Sequence, residues 1–303
     1  MSTGLQTIFF SRRPRRLRAG WRILTQSALE LVLYILLSFI FFRNISNTSQ
    51  QAFVFDRLIF LAATTISIFL TRRYLDRRSF DSLGLEINAW MPWDLLVGFL
   101  LAGLLMAGIF MFEYQVGWLT IIGYRWQQDS LGTMISESLA ALLVFGLCPS
   151  WREELTYRGY WLHNIKAGLN LPLAMVLTSI AFAIPHLRYP HISYRAMIFI
   201  FLAGLWLVYA GWVTQQLWLP LGIHAGWNFF EGIVFGFPLS GLNTFRWIDQ
   251  TVSGPTWVTG GDFGPEAGFV GVVAMLMGGL LVLAWSRWRM YWGKRLQNQS
   301  LIP

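Results

Sequence analysis

The sequence predicts an all-α polytopic membrane protein, a bundle of about eight transmembrane helices. Hydrophobic residues make up 55% of its 303 residues, aromatic residues 17% and charged residues only 13%. Such a composition is typical of chains embedded in a lipid bilayer. Apolar runs of about 20 residues, the length that spans the hydrocarbon core, recur along the chain. We therefore expect one membrane bundle and no separate soluble domain.

Eight apolar runs are candidate spans. They lie at 24–42, 53–71, 93–113, 132–149, 171–188, 195–213, 217–235 and 267–286. The fourth run continues into a charged stretch at 151–159. Glu30, Asp56 and Arg57 fall inside or at the ends of the first two spans, and we interpret them as helix-end or interhelical pairs. The connection at 236–268, rich in glycine, proline and aromatic residues, is predicted to be a plain loop, with an ordered lid as the alternative.

The distribution of basic residues predicts the topology. Connections rich in basic residues alternate with poor ones. The rich ones carry Arg12, Arg13, Arg15, Arg16, Arg18 and Arg22; Arg72, Arg73, Arg77 and Arg78; Arg152, Arg158 and Lys166; and Arg287, Arg289, Lys294 and Arg295. The poor ones carry Arg43, Arg125, Arg188, Arg195 and Arg246. By the positive-inside rule, we expect a multi-pass protein of the cell membrane with both termini in the cytoplasm and the loop around Arg246 outside.

The net charge of +8 therefore indicates membrane topology, and we expect no nucleic-acid partner. The lipid bilayer is the expected environment. The single cysteine, Cys148, excludes an intramolecular disulfide and a cysteine-based zinc cluster.

Two adjacent glutamates and an arginine stand out at the end of the fourth span. A charge at the centre of a membrane helix costs about 2.5–3.5 kcal/mol on insertion scales, so charges kept there usually have a function. On a helix, Glu154 and Arg158 are i,i+4 neighbours and can pair. We expect this pairing to leave Glu153 free for chemistry.

Two histidines lie inside apolar helices and could approach Glu153. His186 follows Phe182 by one helical turn, and Asn228 follows His224 by one turn. Turn-forming residues at 168–172 fall midway between Glu153 and His186, so a helical hairpin brings these two to the same depth. His224 lies at a shallower depth. The three residues can meet only if the polar base of the hairpin protrudes into the cytosol.

Together these motifs resemble the signature of the CPBP intramembrane proteases, which include the CAAX-processing endopeptidases and the bacterial bacteriocin-immunity (Abi) proteins. The resemblance rests on Glu153-Glu154-x-x-x-Arg158, Phe182-x-x-x-His186 and His224-x-x-x-Asn228, in this order on successive helices. It covers roughly residues 132–235. It divides the chain into three N-terminal spans with a basic tail at 1–131, a catalytic core at 132–235, and an outer loop, last span and basic tail at 236–303.

The resemblance implies an intramembrane endopeptidase that acts on membrane-anchored proteins or peptides, with the scissile bond expected near the cytoplasmic face. Its six implied site residues are Glu153, Glu154, Arg158, His186, His224 and Asn228. Glu153, with His186, would activate a water molecule, and His224 with Asn228 would hold the developing oxyanion. Glu154 and Arg158 would be the supporting pair.

The role of a metal stays open at this stage. Glu153, His186 and His224 could form a His₂Glu zinc site with one open position. The same groups could also act on a water molecule without a metal, which we prefer. A non-proteolytic scaffold or immunity protein that retains the pocket is the alternative function, and a transporter is the third.

Overall fold

A computed structural model describes residues 9–10, 16–42 and 49–299. The helices are α1 (Ala19–Phe42), α2 (Ser49–Tyr74), α3 (Met91–Gln115), α4 (Leu131–Gly168), α5 (Leu171–Ala183), α6 (Tyr194–Thr214), α7 (Trp218–Asn228), α8 (Thr256–Thr259) and α9 (Phe269–Gln299). The strands are β1 (Leu119–Tyr124) and β2 (Ile248–Val252). Of the predicted basic residues, Arg12, Arg13, Arg15 and Arg43 lie outside the described residues, as does the side chain of Lys294.

Each predicted span falls on one of these helices, which confirms the all-α polytopic class. Among the described residues, seven helices are long and apolar enough to cross a membrane. The predicted span at 217–235 is not among them. Its 11 α-helical residues in α7 continue as six residues of π-helix, Phe229–Val234. This combined helix is shorter than the other predicted spans.

Helix α1 has the polarity expected of a membrane helix. Its buried residues are the polar Arg22 and Gln26, whereas large apolar side chains along it are exposed. Arg22 pairs with Asp76 at 2.6 Å, and the Gln26 amide donates to Glu30 at 2.7 Å. A bilayer reverses the usual pattern, because lipid solvates the apolar face and the polar groups find partners inside the bundle.

The first two helices are also joined by the predicted interhelical pairs. The Thr64 hydroxyl donates to Glu30 at 2.5 Å, and the Tyr34 hydroxyl donates to Asp56 at 2.6 Å. These contacts confirm the interpretation of Glu30 and Asp56. Arg57 differs, since it lines the cavity described below.

A two-stranded sheet corrects one expectation from the sequence. Strand β1 pairs antiparallel with β2, from Leu119 opposite Val252 to Tyr124 opposite Ile248. The connection at 236–268 is therefore not a plain loop, because it contains β2, α8 and short 3₁₀ turns. Its Phe237, Leu239 and Phe263 are buried. Burial of these aromatic and apolar side chains against the helices orders the segment, a tertiary effect that local composition does not reveal.

The most extensive helix packing is that of α7 on α3. Glycines make it possible: a methyl group on Gly226 would lie 2.6 Å from the Phe99 carbonyl oxygen, and one on Gly222 would also meet the α3 backbone. Small residues four apart let membrane helices approach closely. The two glycines flank His224, so this contact fixes the position of the residues that α7 brings to the site.

Candidate active site

Helix α4 is not a uniform α-helix where it carries the predicted site residues. π-Helical segments at Leu142–Leu147 and Glu154–Trp161 flank Glu153, which ends a short α-helical stretch. π-Helical turns are rare and occur frequently at functional sites. Pro149 contributes to the irregularity, because it has no N–H to donate to the Phe145 carbonyl four residues earlier. That carbonyl instead accepts a hydrogen bond from Asn228 Nδ2 at 2.9 Å.

The predicted pair of Glu154 and Arg158 is present and completely buried. Arg158 Nη1 lies 3.1 Å from Glu154 Oε1, with the two side chains 1% and 0% exposed. Arg158 Nη2 also donates to the Gly204 carbonyl of α6 at 3.2 Å, and its guanidinium stacks 4.1 Å from the Phe182 ring centre. The arginine therefore links α4 to α5 and α6.

Glu154 also holds His224. His224 Nδ1 lies 2.9 Å from Glu154 Oε1, so this N–H donates to the carboxylate. The other ring nitrogen, Nε2, then points towards Glu153, at 3.8 Å from Glu153 Oε2. The adjacent glutamates thus contact opposite sides of the imidazole. Glu154 binds Nδ1 and orients the ring, and Glu153 faces the free Nε2.

Glu153 differs from the expectation that it is unpaired. Arg152 Nη2 lies 2.7 Å from Glu153 Oε1, and the Arg152 guanidinium stacks 4.4 Å from the Phe60 ring centre of α2. Helical spacing predicts partners one turn away, and it does not reveal a pairing between adjacent residues. One carboxylate oxygen of Glu153 is consequently fixed, and Oε2 is the oxygen that faces His224.

His186 reaches the site from the end of α5. Pro185 ends the regular helix, and Ile184–Arg188 continue as a tighter 3₁₀ turn. His186 Nδ1 lies 3.0 Å from the Phe182 carbonyl oxygen. A carbonyl can only accept, so Nδ1 carries the hydrogen and Nε2 has a free lone pair. The Phe182 ring contacts both His186 and His224, with centroid separations of 5.2 and 5.9 Å.

A cavity of about 80 Å³ brings these groups together. Four of the six predicted site residues line it: Glu153, His186, His224 and Asn228. Of the other two, Glu154 contacts His224 from the side away from Glu153, and Arg158 pairs with Glu154. The structure therefore gathers all six around one cavity, although they come from three separate stretches of sequence.

Several residues of the site were not predicted. Arg57, Tyr189, Leu239, Ser240, Leu242 and Glu266 also line the cavity. Four of these belong to the connection at 236–268, which therefore covers the site. No motif spacing connects Ser240 or Glu266 to the helices, and only the folded loop brings them there. The pairing of Arg152 with Glu153 was also not predicted, and it is the one such feature that the local sequence suggests, because the two residues are adjacent.

The arrangement does not fit a zinc ion. Within the part of the chain that the structure describes, no three His, Cys, Asp or Glu side chains are placed to hold a metal. Glu153 Oε1 is occupied by the Arg152 cation, which would repel a metal ion at this carboxylate.

Comparison with known proteins agrees with the motifs. Residues 135–230 match the family model described as type II CAAX prenyl endopeptidase Rce1-like. This range contains all six predicted site residues and nearly all of the predicted core at 132–235. No curated protein matches the chain. The chain is thus a multi-pass membrane protein, and its residues 135–230 are similar to the type II CAAX prenyl endopeptidases.

Proposed function

We propose that the chain is an endopeptidase that hydrolyses a peptide bond of membrane-anchored proteins or peptides inside its helical bundle, with Glu153 as the general base. The observation that carries this proposal is the orientation of Glu153 Oε2, which faces His224 Nε2 at 3.8 Å within the cavity. Arg152 fixes the other oxygen. A carboxylate held in one orientation next to a small enclosed space is suited to take a proton from water.

His186 assists in activating the water. Its Nε2 lone pair is available because Nδ1–H donates to the Phe182 carbonyl. The water oxygen bonds to the scissile carbonyl carbon while its proton moves to Glu153. The cavity of about 80 Å³ holds a few water molecules at most, so substrate entry requires the cavity to widen.

His224 and Asn228 stabilise the oxyanion that forms on the carbonyl oxygen. His224 Nε2 donates when it carries a proton, and the carboxylates of Glu153 and Glu154 on its two sides balance that charge. Asn228 Nδ2 has two hydrogens, and the Phe145 carbonyl takes one of them. The second is the donor to the oxyanion. Donors fixed in this way contribute through preorganisation.

The proposed mechanism needs no metal. The ion pair between Arg152 and Glu153 supports this choice, since the guanidinium takes the place at which a cation would bind. The expected result is that a chelator leaves the rate unchanged and that the purified protein carries no stoichiometric zinc.

We further propose that the substrate approaches from the side of the connection at 236–268, which supplies Ser240 and Glu266 to the cavity wall. The arginine distribution predicts that this side is outside the cytoplasm. The scissile bond is then closer to the non-cytoplasmic face, in place of the cytoplasmic face expected from the resemblance.

The test uses the purified full-length protein and a panel of internally quenched peptides. One peptide ends in a farnesylated Cys-aliphatic-aliphatic-X sequence, after the family's description as prenyl endopeptidases. A second is an apolar transmembrane peptide without a prenyl group. We expect the wild-type protein to cleave at least one of them and Glu153→Gln to lose the activity.

Glu137→Gln is the matched control, because it makes the same change on α4 at a residue that does not line the cavity. It should retain the wild-type rate. Binding of a peptide without cleavage would favour the scaffold or immunity alternative, and equal cleavage by Glu153→Gln would rule out the proposed mechanism.

A further inference from the structure

The cavity contains a second carboxyl that the family motifs do not account for. Glu266 lies in the 3₁₀ turn Pro265–Ala267, outside the range 135–230 that matches the family model. It lines the same cavity as Glu153, His186 and His224. The cavity therefore has one carboxyl from the membrane helix α4 and another from the covering loop.

The Glu266 side chain is held in place by a hydrogen bond from Ser240. The Ser240 hydroxyl donates a hydrogen bond to Glu266 Oε1. Ser240 adopts a left-handed backbone conformation with φ of 48°, which is unfavourable for a residue other than glycine. Such strain persists only where the surrounding structure imposes it, and it is frequent at functional sites. The contact leaves Oε2 as the oxygen available to a ligand in the cavity.

The surroundings of Glu266 favour a protonated carboxyl. Glu231, from the π-helix after α7, is fully buried, and its Oε1 lies against Gly264, two residues before Glu266. The two carboxyls repel each other electrostatically when both are charged, so a proton on one of them is favoured. His186 and His224 are the basic groups that act on Glu266 electrostatically. Burial is the largest influence, and it raises the pKa of the Glu266 carboxyl above its usual range.

We propose that Glu266 is a further catalytic residue, the general acid that protonates the departing amine. This inference rests on the proposed peptidase function. After water has bonded to the carbonyl carbon and given a proton to Glu153, the C–N bond breaks and its electron pair moves to nitrogen. The nitrogen takes the proton from Glu266 Oε2, so that the amine leaves neutral. The proton on Glu153 then returns to Glu266 through the water of the cavity, which restores both groups.

The test compares two leaving groups at the same carbonyl. One substrate is the peptide of the panel above that the wild-type protein cleaves, and the other is its 4-nitrophenyl ester. A nitrophenolate departs without taking up a proton, whereas an amine requires one. We expect Glu266→Gln to lower the amide rate by about 10²–10⁴, the usual contribution of a general acid, and to leave the ester rate close to wild type.

The ratio of the amide rate to the ester rate decides the outcome, because both are measured on one sample and the amount of folded enzyme cancels. Ser240→Ala should lower the same ratio to a smaller extent. This variant replaces Glu266→Gln in the test if Glu266→Gln does not fold. Asp262→Asn, an exposed carboxyl-to-amide change in the same loop, is the control and should leave the ratio unchanged.

An unchanged ratio in Glu266→Gln, or equal losses on both substrates, would overturn the proton-donor role while the peptidase function stands. If the wild-type protein cleaves neither substrate, the proposed function fails and this inference with it. Glu153→Gln separates the two roles, since it should lose both rates.

Discussion

At the scale of single residues, two neighbouring glutamates have different surroundings because their partners differ. Glu154 is enclosed by Arg158 and His224, at 3.1 and 2.9 Å. Glu153 is held on one oxygen by Arg152 and presents the other to the cavity. Glu154 therefore holds the imidazole in place, and Glu153 is the residue for which we propose the catalytic role.

This division predicts different effects on stability. Glu154→Ala or Arg158→Ala leaves a charge buried without its partner, which costs roughly 3–5 kcal/mol. We expect a lower yield of folded protein and a lower melting temperature in detergent as well as a loss of activity. Arg246→Ala is the control, since Arg246 and Asp249 are partly exposed and such pairs contribute at most about 1 kcal/mol. Wild-type stability in both buried-pair variants would contradict the account.

The site residues that face the cavity should instead affect the rate as a unit. Glu153→Ala, His186→Ala and His224→Ala should each remove most of the activity, and double variants should lose little more. Asn228→Ala should be milder, with a loss of about 10²–10³, the usual contribution of one oxyanion donor. Steady-state kinetics of the single and double variants measure this. Independent, multiplicative losses for Glu153 and His186 would mean that they belong to unrelated sites.

At the scale of secondary-structure elements, the site depends on where regular helix geometry is interrupted. Pro149 and Pro185 fall beside the π-helical and 3₁₀ segments of α4 and α5, and both interruptions direct site groups into the cavity. The close contact of α3 and α7 sets the position of His224 between Gly222 and Gly226.

The glycine contact yields a prediction at this scale. Gly226→Ala places a methyl group 2.6 Å from the Phe99 carbonyl oxygen, so α7 must move away from α3. Overpacking of this kind costs about 1–3 kcal/mol, and the displaced His224 should lower kcat as well. Gly279→Ala on α9 has open space around it and should be neutral or stabilising. The melting temperature and kcat of the two variants are compared. Equal values would show that the contact between α3 and α7 does not position the site.

At the scale of the whole molecule, the topology sets the side of the membrane on which the proposed cleavage takes place. Labelling of Asn243→Cys, an exposed position in the outer connection, tests the predicted orientation in a background with Cys148→Ala. If both termini lie in the cytoplasm, an impermeant reagent should label this cysteine in intact cells. Labelling only after permeabilisation would place the connection, and the cavity beneath it, on the cytoplasmic side.

Much of the architecture could be predicted because membrane spans depend on local composition. The eight apolar runs and the pairing of Glu154 with Arg158 follow from hydropathy and helical spacing alone. The sheet of β1 and β2, and the position of Glu266 in the cavity wall, depend on contacts between segments that are distant in the sequence. The pairing of Glu153 with Arg152 depends on side-chain rotamers. No periodicity in the sequence encodes these features.

The most direct test of the central claim, hydrolysis of peptide bonds with Glu153 as the base, can be made before any substrate is identified. Quantitative proteomics compares the C-termini of membrane proteins in cells that produce the wild-type chain and cells that produce Glu153→Gln at the same level. We predict new C-termini, at positions next to or within apolar segments, that occur only with the wild-type chain. Identical sets of C-termini in the two cell populations would contradict the claim.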